Sequence, residues 1–129
     1  MSILDLRAKF CNEQVVCNDG AEASDNWINW GTEVTPSPTH NVILRLIVTT
    51  AFTGLDSGMR VTLQDDTVSD FNSTLKEQSS SPVLKPAQLT LGAIIDIPLT
   101  NLKVQSYARL MFTPISENAS AGAITAGLV

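Results

Sequence analysis

Residues Asn41 to Thr50 read NVILRLIVTT, and this stretch decides the fold class. In an extended chain Val42, Leu44, Leu46 and Val48 fall on one face, and Ile43, Arg45, Ile47 and Thr49 on the other. Both faces are largely apolar. Such a strand belongs in the middle of a sheet and is expected to be covered on both sides. Helical signals are weak throughout the chain, and β-branched residues recur, so extended structure is the reading elsewhere too.

Downstream, the turn Thr53-Gly54-Leu55-Asp56-Ser57-Gly58 leads into Met59 to Asp65. There Met59, Val61 and Leu63 alternate with Arg60, Thr62 and Gln64, which predicts a half-buried antiparallel strand with the second set in solvent. Thr67 to Ser81 is polar, with Phe71 and Leu75 four apart. It predicts one short helical turn before the break at Ser79-Ser80-Ser81-Pro82. Leu84 to Leu91 and Ile94 to Leu99 read as two short strands. Ser106 to Thr113 places Ala108, Leu110 and Phe112 inside, and Tyr107, Arg109 and Met111 outside. Ala121 to Val129 closes the sequence as an apolar, paired strand. Upstream, Glu13 to Cys17 and Asn26 to Trp30 are further strands, and Thr35-Pro36-Ser37-Pro38-Thr39 is a stiff connection. Seven to eight short strands with no βαβ rhythm predict an all-β fold, an antiparallel β-sandwich of jelly-roll type. It is expected to form one domain over residues 1–129 with an N-terminal arm at about 1–12.

Composition agrees. A chain of 129 residues has a folded surface of about 6,700 Å² against about 20,000 Å² unfolded, enough burial for a core without disulfides or metal. Charged residues make up 16%, below the roughly 25% usual in soluble chains. Thirteen acids and eight bases leave a net charge of −5. A surface of that sign repels phosphate backbones and anionic lipid, which argues against nucleic acid and membrane as partners. No apolar run approaches the ~20 residues that span a bilayer. Asp5, Arg7 and Lys9 interrupt any apolar signal region, so the expectation is a protein made and kept inside a cell, or one that leaves by some other route.

The sequence is poor in catalytic groups, and the reading is that it is not an enzyme. His40 is the only histidine and stands at a strand start, where a surface role is the ordinary one. Asp65, Asp66 and Asp70 could offer oxygen ligands to calcium, but the EF-hand spacing is missing, and a solvated strand end beginning a turn accounts for them. Cys11 and Cys17 fit no common zinc or redox spacing and are expected to be small buried thiols. No cofactor or metal is expected. The sequons at Asn72 and Asn118 are read as chance.

Trp27 and Trp30 are the only tryptophans. Three apart in a strand, they face opposite sides, so one is expected outside the core. An exposed Trp can anchor a protein interface or stack on a sugar. The second possibility makes a carbohydrate-binding jelly-roll module, with Trp27 and Trp30 as platform, the alternative function.

Several segments together resemble the capsid cement (decoration) proteins of short-tailed, double-stranded DNA bacteriophages. They are Ile3-Leu4-Asp5 leading to Phe10 and Glu13-Gln14-Val15-Val16, then Thr50-Ala51-Phe52-Thr53 with Gly58, Val61-Thr62-Leu63-Gln64 and Asp70-Phe71. Ile95-Asp96-Ile97-Pro98-Leu99, Tyr107-Ala108-Arg109-Leu110 and the closing Gly122-Ala123-Ile124-Thr125-Ala126-Gly127-Leu128-Val129 follow in order. The likeness departs at Cys11 to Asn29. It implies a structural virion protein, synthesised in the bacterial host cytoplasm and bound to the outer surface of the phage head. The implied partners are the major capsid protein, at subunit junctions, and a second copy in a homodimer or other small homo-oligomer. Under that resemblance the contact residues are expected among Ile3, Leu4 and Phe10 of the arm, Trp27 and Trp30, and the outward set Tyr107, Arg109 and Met111.

Overall fold

The computed structural model describes residues 9–29, 42–99 and 106–128. Val42–Thr53 forms one long strand, and the others arrange around it: β1 Lys9–Val15, β2 Glu22–Ala23, β3 Ile28–Asn29, β4 Val42–Thr53, β5 Met59–Asp66, β6 Lys76–Ser80, β7 Ile94–Leu99, β8 Tyr107–Pro114 and β9 Ala121–Leu128. They form two antiparallel sheets, ordered β1-β9-β4-β7 and β2-β8-β5-β6, with β3 also paired to β8. The fold is an all-β sandwich. No helix among the described residues is long and apolar enough to cross a membrane.

Alternation decides which side chains fill the space between the sheets. Leu44, Leu46 and Val48 of β4 point inward beside Leu128, Ala126 and Ile124 of β9. They meet Val61 and Leu63 of β5 and Ala108, Leu110 and Phe112 of β8 within one continuous core. Leu55, Met59 and Leu89 are also buried there. The accessible surface of 6621 Å² is close to that expected from mass alone. Gly122 leaves no room for a side chain. Its φ is +147°, and a Cβ there would lie 2.3 Å from Cδ2 of Phe52. Gly58, at φ +87°, closes the turn into β5 where a Cβ would meet the Leu84 carbonyl oxygen at 2.6 Å.

The structure corrects five expectations. Phe10 is fully buried in the core, and Lys9 to Val15 pairs with β9. The arm read at about 1–12 therefore gives up its last residues to the sheet, because Phe10 and Cys11 are too apolar to leave in water. Residues 1–8 of that arm lie outside the described residues. Leu84 to Leu91 is not a strand. Only Leu84 bridges, to Met59, and Pro86–Gln88 makes a 3₁₀ turn because Pro86 offers no N–H to a ladder. The polar stretch after Thr67 holds no helical turn among its described elements but supplies the edge strand β6. Polar and charged residues suit such an edge, which must not recruit a neighbour.

The fourth correction concerns β5, where Thr62 and Gln64, expected in solvent, are buried along with Asp65 and Asp66. The cover over that face is described below. The fifth concerns β4, which is central, between β7 and β9, yet among the described residues buried on its inner side only. Ile43, Arg45 and Ile47 are half-buried on the outer side.

Candidate interface on the outer face of the second sheet

The outward residues of β8 are Tyr107, Arg109 and Met111, half-buried between the buried Ala108, Leu110 and Phe112. This alternation is as the sequence predicts. Two short strands flank them on one side: Asn29 of β3 pairs with Tyr107, and Ala23 of β2 with Met111. The residue pairs Tyr107 with Asp66, Arg109 with Gln64 and Met111 with Thr62 lie on the β5 side.

Trp27, just before β3, is 46% exposed. Its ring meets that of Tyr107 edge to face, with centroids 5.1 Å apart and planes at 89°. That geometry suits the ring quadrupoles and fixes the indole against the sheet while leaving its open side to solvent. The partner of Trp27 is thus Tyr107, brought from 80 positions downstream by strand pairing; Trp30 lies outside the described residues, as do Ile3, Leu4 and His40.

Arg109 is held from two directions. Its Nε donates to Gln64 Oε1 at 3.0 Å, and its guanidinium carbon stands 4.5 Å over the centroid of the Phe71 ring. A cation so placed is attracted to the ring face. Phe71 is buried at φ +54°. The loop that carries it folds back over β5, which is why Gln64 and Asp66 are hidden.

Asp66 fastens that loop. Its carboxylate accepts backbone N–H bonds from Thr67 at 2.6 Å, Val68 at 3.2 Å, Ser73 at 3.1 Å and Thr74 at 3.0 Å. The hydroxyls of Thr67 and Thr74 donate to it as well. Burial raises its pKa, but the N–H groups of Thr74, Ser73, Val68 and Thr67 outweigh this and hold it at about 2. A carboxylate engaged by so many donors stays ionised and has few lone pairs left for a cation.

Asp65, Asp66 and Asp70 do not converge. Asp65 alternates to the opposite face and accepts from Gln78 Nε2 at 3.0 Å, while Asp70 accepts from Asn72 Nδ2. Cys11 and Cys17 are both free and buried. The Cys11 thiol donates to the Ile124 carbonyl at 3.4 Å, and Cys17 packs against Met59 sulfur at 3.7 Å. Burial pushes both thiols up to about 12, which leaves them unreactive in the folded chain.

Four of the residues singled out from the sequence, Trp27, Tyr107, Arg109 and Met111, therefore share one face. Phe10 does not belong with them. Gln64 and Asp66 of β5 and Phe71 of the loop after it brace that face, a role that a polar loop without a period does not signal. Fold and surface define a β-sandwich with a braced aromatic and arginine face on its second sheet. The sequence matches no protein-family model and no curated protein.

Proposed function

We propose that the chain is a structural virion protein, a capsid cement protein that binds the outer surface of an icosahedral phage head where major capsid protein subunits meet. The observation that carries this reading is the surface formed by Trp27, Tyr107, Arg109 and Met111. Trp, Tyr, Met and Arg are the residues enriched at the centres of protein interfaces. Here Tyr107, Arg109 and Met111 stand on β8, Trp27 is held by Tyr107 and Arg109 by Gln64 and Phe71, so little side-chain entropy is lost on docking. The resemblance of the sequence segments to cement proteins points the same way.

On this reading the sandwich is a jelly roll. The strand orders β1-β9-β4-β7 and β2-β8-β5-β6 support it, since they follow from wrapping a long antiparallel hairpin as two Greek keys. The protein stabilises the mature head against internal DNA pressure and performs no catalysis. It is synthesised in the bacterial cytoplasm and acts on the outside of the capsid, where an acidic surface avoids nucleic acid. Single contacts can be weak, because each copy touches more than one subunit of the lattice and the contacts add.

Quantitative mass spectrometry of purified particles of the phage that encodes this chain tests the reading. A copy number comparable to the major capsid protein is expected, and trace amounts would overturn it. In the same particles Trp27→Ala should lower occupancy at least 10-fold, as for loss of an interface anchor of about 1.4 kcal/mol or more. Glycan binding by the free protein, lost in that variant while occupancy is unchanged, would favour the carbohydrate module instead. The right angle between Trp27 and Tyr107 keeps those two rings from forming a flat sugar platform, whereas a platform of Trp27 with Trp30 involves a residue outside the described ones.

A further inference from the structure

The outer face of the second sheet is cationic at its centre, in a molecule that carries −5 overall. β8 brings Arg109 to it, and β5 brings Arg60, exposed and opposite Thr113. Four residues of β8 separate the two cations, about 14 Å of extended chain, with Met111 and Thr62 paired between them. The acids of β5, Asp65 and Asp66, are fully buried, and β8 has none. The exposed acids Asp25, Asp70 and Glu77 belong to the bordering loops and to the edge strand β6.

Arg109 is the cation already set for an incoming anion. Its Nε is spent on Gln64 Oε1, and the guanidinium lies over the Phe71 ring. Those two contacts fix its plane. They leave the Nη1 and Nη2 amino groups with no hydrogen-bond acceptor among the described residues. A carboxylate accepts two parallel bonds from such a pair, and little rotamer freedom is lost when it arrives. Trp27 with Tyr107 on one side, and Met111 on the other, are placed to keep water from the ion pair, which strengthens it. A polyphosphate fits less well, because the bordering acids and the net charge repel a long row of phosphates but not one carboxylate between them.

On the capsid reading, we propose that this face takes an acidic segment of the head protein, and that Arg109 receives an aspartate or glutamate carboxylate end-on through Nη1 and Nη2. The partner is thereby specified by its chemistry, and Arg109 becomes the residue that selects it.

Purified full chain mixed with mature heads from a phage deleted for it supplies the test. Arg109→Met keeps an unbranched side chain to lie over Phe71 but removes the donors, and its affinity for heads should fall at least 10-fold with the melting temperature unchanged. In Arg109→Lys, added at saturating concentration, a carbodiimide should join the introduced amine to an acidic residue of the head protein through an amide bond, located by mass spectrometry. Where a variant fails to fold or to bind, the unaltered chain serves: 4-hydroxyphenylglyoxal should modify Arg109 at least 10-fold faster in the free chain than on heads. Unchanged affinity of Arg109→Met, bound Arg109→Lys that yields no such amide, or equal labelling of Arg109 free and bound would each overturn the acidic contact while leaving the capsid reading in place. Displacement from heads by an equimolar single-stranded oligonucleotide would make the face a phosphate site and overturn it too. An unaltered chain that does not bind heads at all overturns the capsid reading, and the acidic contact with it.

Discussion

Asp66 shows how one carboxylate can hold a surface together. It accepts from four backbone N–H groups in the eight residues that follow it, and this fixes the loop whose Phe71 lies under Arg109. Asp66→Asn leaves a neutral side chain with one acceptor oxygen for those donors, so the loop should loosen and the melting temperature fall. The pH dependence has a definite sign. Held at about 2 in the fold against an ordinary 3.8, the group contributes stability that is present above pH 3.8 and is lost as pH falls toward 2. Asp66→Asn should remove that part of the acid unfolding curve, so the two proteins converge at pH 2 and separate above pH 4. Parallel curves across this range would show that Asp66 does not fasten the loop. Nothing local in the sequence signals this role, because the partners are backbone groups, and an acidic residue before a polar loop looks the same whether it is solvated or a hub.

At the scale of elements, what could be read in advance was alternation. β8 announces itself through Ala108, Leu110 and Phe112 against Tyr107, Arg109 and Met111, and its faces lie as that pattern requires. β6 is the opposite case, since KEQSS carries no apolar period and is a strand only because β5 offers it a ladder. The second apolar face of β4 was legible as apolar, but nothing local says what covers it. Long-range packing also explains why Gly122 cannot be judged from its own strand. In β9 it reads as a weak spot in an apolar run, whereas it makes room for the ring of Phe52 on β4. Gly122→Ala should therefore cost about 1–3 kcal/mol in urea unfolding, through overpacking and an unfavourable φ. Combining it with Phe52→Leu should cost less than the two single changes added together. Strict additivity would mean that the ring is not what the glycine accommodates.

For the molecule as a whole, the decisive arrangement is that β1 and β9, the first and last described strands, lie side by side. Pairing of that kind closes a long loop late, so folding is expected to be slow for the chain's size. It also makes the two cysteines reporters of global opening. Cys11 faces the core from β1 opposite Ala126 of β9, and Cys17 follows in the same layer, against Met59 at the start of β5. Reaching either thiol means parting β1 from β9 or opening the space between the sheets. Both should react with a thiol reagent at one common rate, at least about 1,000-fold slower than in denaturant, as for a core opening at 4 kcal/mol or more. Urea should speed both with the slope of global unfolding. The same burial makes stability depend on alkali. With pKa values of about 12 in the fold against an ordinary 9.0, the contribution of the neutral thiols is present below pH 9.0 and is lost as pH rises toward 12. Fast labelling of Cys11 with slow labelling of Cys17 would contradict the common rate, and would place β1 in a separate, weaker unit that opens while the rest of the sandwich stays closed.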